Sequence, residues 1–225
     1  MSLAFRHLVF DLDGTLVDTK DDIAEAVNVT LEQLGLPRQE PRTLWTYVGH
    51  GVRVTLERAL GAEHAALLDQ AVAVFLPWYR AHLLDHSAVY PGLGDVIERL
   101  AADGAVFSLV SNKLEEMSAA IVAGLGLAAR FPRVVGGDSM PAKKPHPMGL
   151  RAVMHAAGVA ASATLMIGDS AIDVATGKNA GVATCGVLWG FTADGAIADA
   201  GADVLIANAA ELEHVARRGL SLPPR

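Results

Sequence analysis

Leu8-Val9-Phe10-Asp11-Leu12-Asp13-Gly14-Thr15-Leu16 carries an apolar run straight into two aspartates two residues apart, with a glycine behind them. The run does not alternate with polar residues, so it reads as a strand buried on both faces, the habit of parallel sheets. In open parallel sheets, reactive groups sit just past the carboxyl ends of the strands. Asp11 and Asp13 would sit there, and Gly14 would let the backbone turn sharply beside a ligand. Two carboxylates at that spacing can share a divalent cation, which offsets their mutual repulsion. One can then attack an electrophile while the other moves protons. A chemically idle acidic turn has the same local signature, so the rest of the chain must separate the two readings.

The next buried strand, Val106-Phe107-Ser108-Leu109-Val110, lies far beyond the roughly a dozen residues that a parallel crossover needs. The excess predicts an inserted unit. Its pattern is helical. Asp18 or Thr19 can cap a helix, with Asp21 and Asp22 in the favourable first turn. Ile23, Val27, Leu31 and Leu34 recur at helical spacing up to Gly35. Thr43 to Val48 predicts a short second helix. Gly49-His50-Gly51 breaks the pattern, and Val52, Leu56 and Leu60 form the next apolar stripe. Ala65 to Leu84 predicts a longer helix bent near Pro77. From Tyr90 onward, strands and helices alternate. The strands are Val106–Val110, Val134-Val135, Thr164–Ile167, Ala183–Leu188 and Val204–Ile206. Helices near 93–104, 115–125, 148–157 and 209–217, and one running to Ala180-Gly181, separate them. The expected fold is α/β: a doubly wound parallel sheet, or Rossmann-like core, with an inserted all-helical cap domain. The expected boundaries are residues 1–16 and 88–225 for the core and 17–87 for the cap.

Three further clusters follow strand ends or enter helices. Ser111-Asn112 can hold phosphate oxygens through hydroxyl, amide and nearby backbone N–H groups. Read alone, the pair fits a helix N-cap better. Lys144 precedes Pro145, which holds it in extended geometry, where a fixed ammonium could balance a transferring phosphoryl group. The adjacent Lys143 reads as a solvated surface lysine. In Gly168-Asp169-Ser170-Ala171-Ile172-Asp173, the two carboxylates lie one helical turn apart. Their hard oxygens suit magnesium, although a helix cap and a first-turn carboxylate would look alike.

Asp11-Leu12-Asp13-Gly14-Thr15-Leu16-Val17-Asp18-Thr19 resembles the first motif of the haloacid dehalogenase superfamily in its phosphatase form. Ser111, Lys144 and Gly168–Asp173 match the second, third and fourth motifs, in family order, and the resemblance spans about residues 8 to 190. The inserted helices resemble the helical cap of that superfamily. Tyr47-Val48-Gly49-His50-Gly51 and Gly136-Gly137-Asp138-Ser139-Met140-Pro141-Ala142-Lys143-Lys144-Pro145-His146-Pro147 resemble its phosphoglycolate phosphatase group. That group often has a small uncharged residue where His50 stands. The resemblance implies a Mg2+-dependent phosphatase acting on a small phosphorylated metabolite, 2-phosphoglycolate being the expected ester. It implies Asp11 as nucleophile, Asp13 as proton carrier and Lys144 as charge balance. Ser111, Asn112 and Lys144 would grip the phosphoryl group. Asp11, the Asp13 carbonyl and Asp169 would hold the metal, with Asp173 orienting the site. In the cap, Gly49, His50, Gly51 and Arg53 are candidates for reading the leaving group, or else a turn and a solvated arginine.

Composition limits the alternatives. A net charge of −7 argues against a nucleic-acid or anionic-membrane surface. No apolar run is long enough to span a bilayer, and the N-terminus lacks a signal-peptide pattern, so a cytoplasmic location is expected. Cys185, the only cysteine, can form no internal disulfide. His82 and His86 share i,i+4 spacing without the further ligands that zinc needs. Two rivals share these motifs: a phosphomutase of the β-phosphoglucomutase type, and a catalytically idle phosphate-binding scaffold. Asp13 speaks against a dehalogenase, in which that carboxylate is replaced.

Overall fold

Leu8, Val9 and Phe10 are fully buried, because both faces of their strand are covered. The computed structural model describes residues 3–191 and 196–222. Strand β1 (His7–Phe10) is followed by β2 (Val17–Asp18) and four helices: α1 (Lys20–Gln33), α2 (Pro41–Trp45), α3 (Val52–Leu60) and α4 (Leu68–Ala81). The chain then returns through β3 (Ala88–Val89), α5 (Leu93–Ala102), β4 (Val106–Val110), α6 (Glu115–Gly124), β5 (Val134–Val135) and α7 (Met148–Ala157). It closes with β6 (Thr164–Gly168), α8 (Ala171–Ala180), β7 (Ala183–Val187), α9 (Ala196–Asp199), β8 (Val204–Ile206) and α10 (Ala209–Arg218).

Six strands form one parallel sheet in the order β5-β4-β1-β6-β7-β8. β1 lies near its centre, with Phe10 opposite Leu109 on one side and Ile167 on the other. Val9 packs with Val110, Leu150, Val153 and Met166 on one face. Leu8 and Phe10 join Leu93, Ile97 and Leu212 on the other. That double burial explains why the sequence does not alternate, and each such side chain contributes roughly 1.5–3 kcal/mol. From β1 the chain builds outward to β5, then crosses back to β6 on the opposite side. This reversal opens a crevice at the carboxyl end of β1, so the doubly wound core is as expected.

The four helices α1–α4 lie between β2 and β3, which pair antiparallel, Val17 opposite Val89 and Asp18 opposite Ala88. We propose this ribbon as the neck between core and cap. The buried Asp22 carboxylate reinforces it by accepting hydrogen bonds from His86 N at 2.9 Å, Ser87 N at 2.8 Å and Ser87 Oγ at 2.6 Å. The carboxylate thereby ties the outgoing chain to the returning one.

Three details of the insert differ from expectation. The second helix starts earlier, at Pro41, because proline's fixed φ suits a first helical position. The long helix expected over Ala65–Leu84 is shorter, α4 starting at Leu68 after a 3-10 turn over Ala62–Leu67 and continuing through Pro77 to Ala81. Burial of Ala71, Phe75 and Tyr79 along one stripe outweighs the local penalty of that proline. His82 and His86 share no helix face, since α4 ends at Ala81. His82 stacks on Trp78, with Nδ1 2.7 Å from Asp85 Oδ2. Cys185 is buried in β7, as expected of an inert core thiol. Among the described residues, no helix is long and apolar enough to cross a membrane.

Candidate active site

Asp11 follows β1 directly, its N–H donating to Ile167 O at 2.9 Å on the neighbouring strand. Asp169 stands at the tip of that strand, and Asp173 on the first turn of α8. The three buried carboxylates offer oxygens within 4.8 Å of one another. Lys144 lies among them, its Nζ 2.7 Å from Asp11 Oδ1 and donating to Asp173 Oδ1 at 2.7 Å. Lys144 is thus the buried lysine of its pair. Burial pulls its pKa down, but Asp11 and Asp173 outweigh that and hold it above its ordinary value.

The carboxylates are under strain of like charge. Burial pushes Asp11 up to about 6, against the pull of Lys144 and with the push of Asp173. Burial lifts Asp169 well above the usual carboxylate range, and Asp173 and Asp11 add to it. One ammonium cannot balance three carboxylates, so this hard-oxygen cluster fits a divalent cation. Asp173 is the least suited to ligate it. Besides Lys144, it accepts hydrogen bonds from Ser170 N at 3.1 Å and Ser170 Oγ at 2.6 Å, which fixes it as part of the α8 capping box. Asp169 Oδ2 accepts the Phe191 N–H at 2.8 Å. A Cβ on Gly14 would stand 2.4 Å from that same oxygen, and Gly14 has φ +80°. Glycine is required here on both counts.

Asp13 faces away from this cluster. Its Oδ1 accepts from Thr19 Oγ1 at 2.6 Å and from Lys113 Nζ at 2.7 Å. Thr19 therefore holds Asp13, although it also occupies the N-cap position of α1. Asp11, Asp13, Ser111, Asn112 and Lys113 form the polar end of a cleft of about 540 Å³, counted to its open mouth, between the helical insert and the sheet. Ile23, Val48, Phe75, Leu76, Leu114 and Met117 line most of the rest. A second opening, of about 490 Å³, reaches Asp13 and Asp169 from the side of Trp45, Ser170 and Phe191.

Gly49 and Gly51 line the first cleft, whereas the exposed His50 and Arg53 do not. The Arg53 guanidinium turns outward and pairs with Asp69 Oδ1 at 2.8 Å, its side chain 58% exposed. The structure does not bring Arg53 to the site, because it lies off the buried stripe of α3. Asn112 also differs in detail. Its Nδ2 donates to Gly49 O at 2.9 Å and Lys144 O at 3.2 Å, so its side chain ties the insert to the core. Lys143 is not a free surface lysine, since its Nζ donates to His50 O at 2.7 Å. Lys113 and Thr19 complete the site without having been singled out by the sequence. The available signal for Lys113 was its place directly after Ser111-Asn112 at a buried strand tip.

The chain matches the family described as haloacid dehalogenase-like hydrolase over residues 8–187. It is 37% identical over 219 residues to a phosphoglycolate phosphatase of Chromobacterium violaceum, covering 95% of this chain and 97% of the relative. It is likewise 37% identical over 186 residues to a phosphoglycolate phosphatase of Aquifex aeolicus, covering 83% and 86%. Among solved structures, one described as a predicted phosphoglycolate phosphatase from Haemophilus somnus superposes with a TM-score of 0.86. It is 27% identical, with 94% of this chain and 98% of that one covered.

Proposed function

This chain belongs to the haloacid dehalogenase-like hydrolases and is a phosphoric monoester hydrolase, and from that premise we propose a Mg2+-dependent reaction on a small ester, 2-phosphoglycolate, through an aspartyl phosphate. The observation that carries this reading is the buried Asp11–Asp169–Asp173 cluster around Lys144, with Asp13 beside it at the end of a cleft.

In the first half-reaction, an Asp11 carboxylate oxygen attacks phosphorus as the ester oxygen leaves, and Asp13 gives that oxygen its proton. In the second, Asp13 takes a proton from water as the water oxygen attacks the same phosphorus. The bond to Asp11 then breaks and inorganic phosphate departs. Ser111, the main-chain N–H of Asn112 and Lys144 hold the phosphoryl oxygens, while Asp173 aims Lys144. Asp11, Asp169 and the main-chain carbonyl of Asp13 would hold Mg2+, which supplies neutralisation of charge on the phosphoryl group. The insert acts as a cap that excludes bulk water during transfer. The apolar walls disfavour a hydroxyl-rich sugar leaving group, and with it the mutase reading.

The test is phosphate release from 2-phosphoglycolate and from ethyl phosphate, with Mg2+. We expect kcat/KM for the carboxylate ester to exceed that for the neutral one by at least ~10-fold, the scale of one charge-assisted contact. Equal values would overturn the substrate, and release from neither would overturn the phosphatase.

The proton role of Asp13 has its own check. Asp13→Asn should slow both half-reactions, and the first least on p-nitrophenyl phosphate, whose leaving group needs little acid help. Rapid-quench labelling should then find more phosphoenzyme than in the wild type. Unchanged steady-state rates on ethyl phosphate would refute the role.

A further inference from the structure

We propose that Lys113 reads a carboxylate on the leaving group, and so selects phosphate esters of 2-hydroxy acids. This rests on the phosphatase reading above and names the substrate class of that site.

Lys113 is the only cation among the described residues that line the first cleft. Arg53, the other cation near the glycine loop, is engaged with Asp69 on the outside. The Lys113 side chain is 7% exposed. Its ammonium lies 2.7 Å from Asp13 Oδ1 and 4.8 Å from the ring centroid of Tyr79, over its face. Its backbone is fixed at both ends: its N–H donates to Ser111 Oγ at 3.3 Å, and its carbonyl accepts the Gly137 N–H at 2.8 Å. The ammonium is therefore held inside the chamber rather than free to sweep the surface.

The position sets a length rule. The ester oxygen must meet Asp13, because Asp13 supplies its proton. A cation in contact with Asp13 is then within reach of a carboxylate one methylene from that oxygen. Each further methylene moves the carboxylate away from Lys113, the only cation among the described lining residues, into a cleft whose other walls are mostly apolar, Leu76 and Met117 among them. The same walls accept a short aliphatic branch on the carbon bearing the oxygen.

Three phosphonates with uncleavable P–C bonds test this by calorimetry on the Mg2+-loaded enzyme. 3-Phosphonopropionate mimics the 2-hydroxy acid ester, propylphosphonate lacks the carboxylate, and 4-phosphonobutyrate is one methylene longer. We expect 3-phosphonopropionate to bind at least ~10-fold more tightly than either of the others. In Lys113→Met, its lead over propylphosphonate should shrink to within ~2-fold, since the charge-assisted contact is gone. The ratio is read within each variant, so a general loss of phosphonate affinity cancels. Lys113→Gln, which leaves a donor for Asp13, gives the same reading should the methionine variant fail to fold. Arg53→Ala should keep the wild-type ratio. A lead that survives in the Lys113 variants, or disappears in Arg53→Ala, overturns the assignment and leaves the substrate reading standing. No lead in the wild type overturns both.

Discussion

Asp11→Asn is expected to lower turnover by at least ~10³-fold, the scale on which an enzyme loses an activated nucleophile. The substitution keeps the size and planarity of the side chain, so the β1 tip and its hydrogen bond to Ile167 have no reason to move. What changes is the attacking atom. A carboxamide oxygen carries no full negative charge and cannot form a stable acyl phosphate. Stability should move differently. Asp11 is one of three crowded carboxylates, pushed up to about 6 chiefly by burial. Removing its charge relieves Asp169 and Asp173, while Asp173 still partners Lys144. The metal-free variant should therefore melt no lower in urea than the wild type. A steady-state rate above a tenth of wild type would contradict the assignment of Asp11.

Stripping the metal should have an effect of the same order. In excess chelator, phosphate release should vanish, and magnesium should restore it, because the cluster offers carboxylate oxygens and no sulfur or imidazole. Calcium should bind and support little turnover, since its longer and looser coordination displaces the attacking carboxylate. Metal binding can be read without activity. A cation that binds only the folded cluster raises the thermal midpoint as its concentration rises, by mass action. Full activity in excess chelator would rule out the mechanism. A midpoint indifferent to magnesium would remove the cluster as its site.

Much of this architecture is legible from residue pattern because burial writes itself into sequence. β1, β4 and β6 are buried on both faces, and so stand out as largely apolar runs, with Ser108 the one polar residue inside β4, that lead into polar groups. Lys144 is legible from its order in the chain, although its burial against Asp11 and Asp173 is a tertiary fact. The β2–β3 ribbon is not legible. Its strands have two residues each, too few to show a period, and they pair across the whole insert. The orientation of Arg53 was accessible in principle. It sits next to Val52 on α3, and one residue is a rotation of about 100° around a helix, which takes it off the buried stripe. The partners of Lys113 and Lys143 are tertiary facts: Asp13 meets Lys113 where the tips of β1 and β4 lie side by side in the sheet, and His50 O meets Lys143 only where the insert folds back over it.

Two of the ties between the insert and the core end on main-chain oxygens, Gly49 O for Asn112 and His50 O for Lys143. A carbonyl is the same whatever side chain its residue carries. The side chain at position 50 can therefore change without removing the contact of Lys143 with His50 O. The glycines on either side are held more tightly, since a Cβ on Gly51, which has φ +91°, would stand 3.2 Å from Asn112 O. These two ties are in this way independent of the side chain at position 50. A lineage could explore new side chains at this exposed position, one substitution at a time, while both ties stay intact.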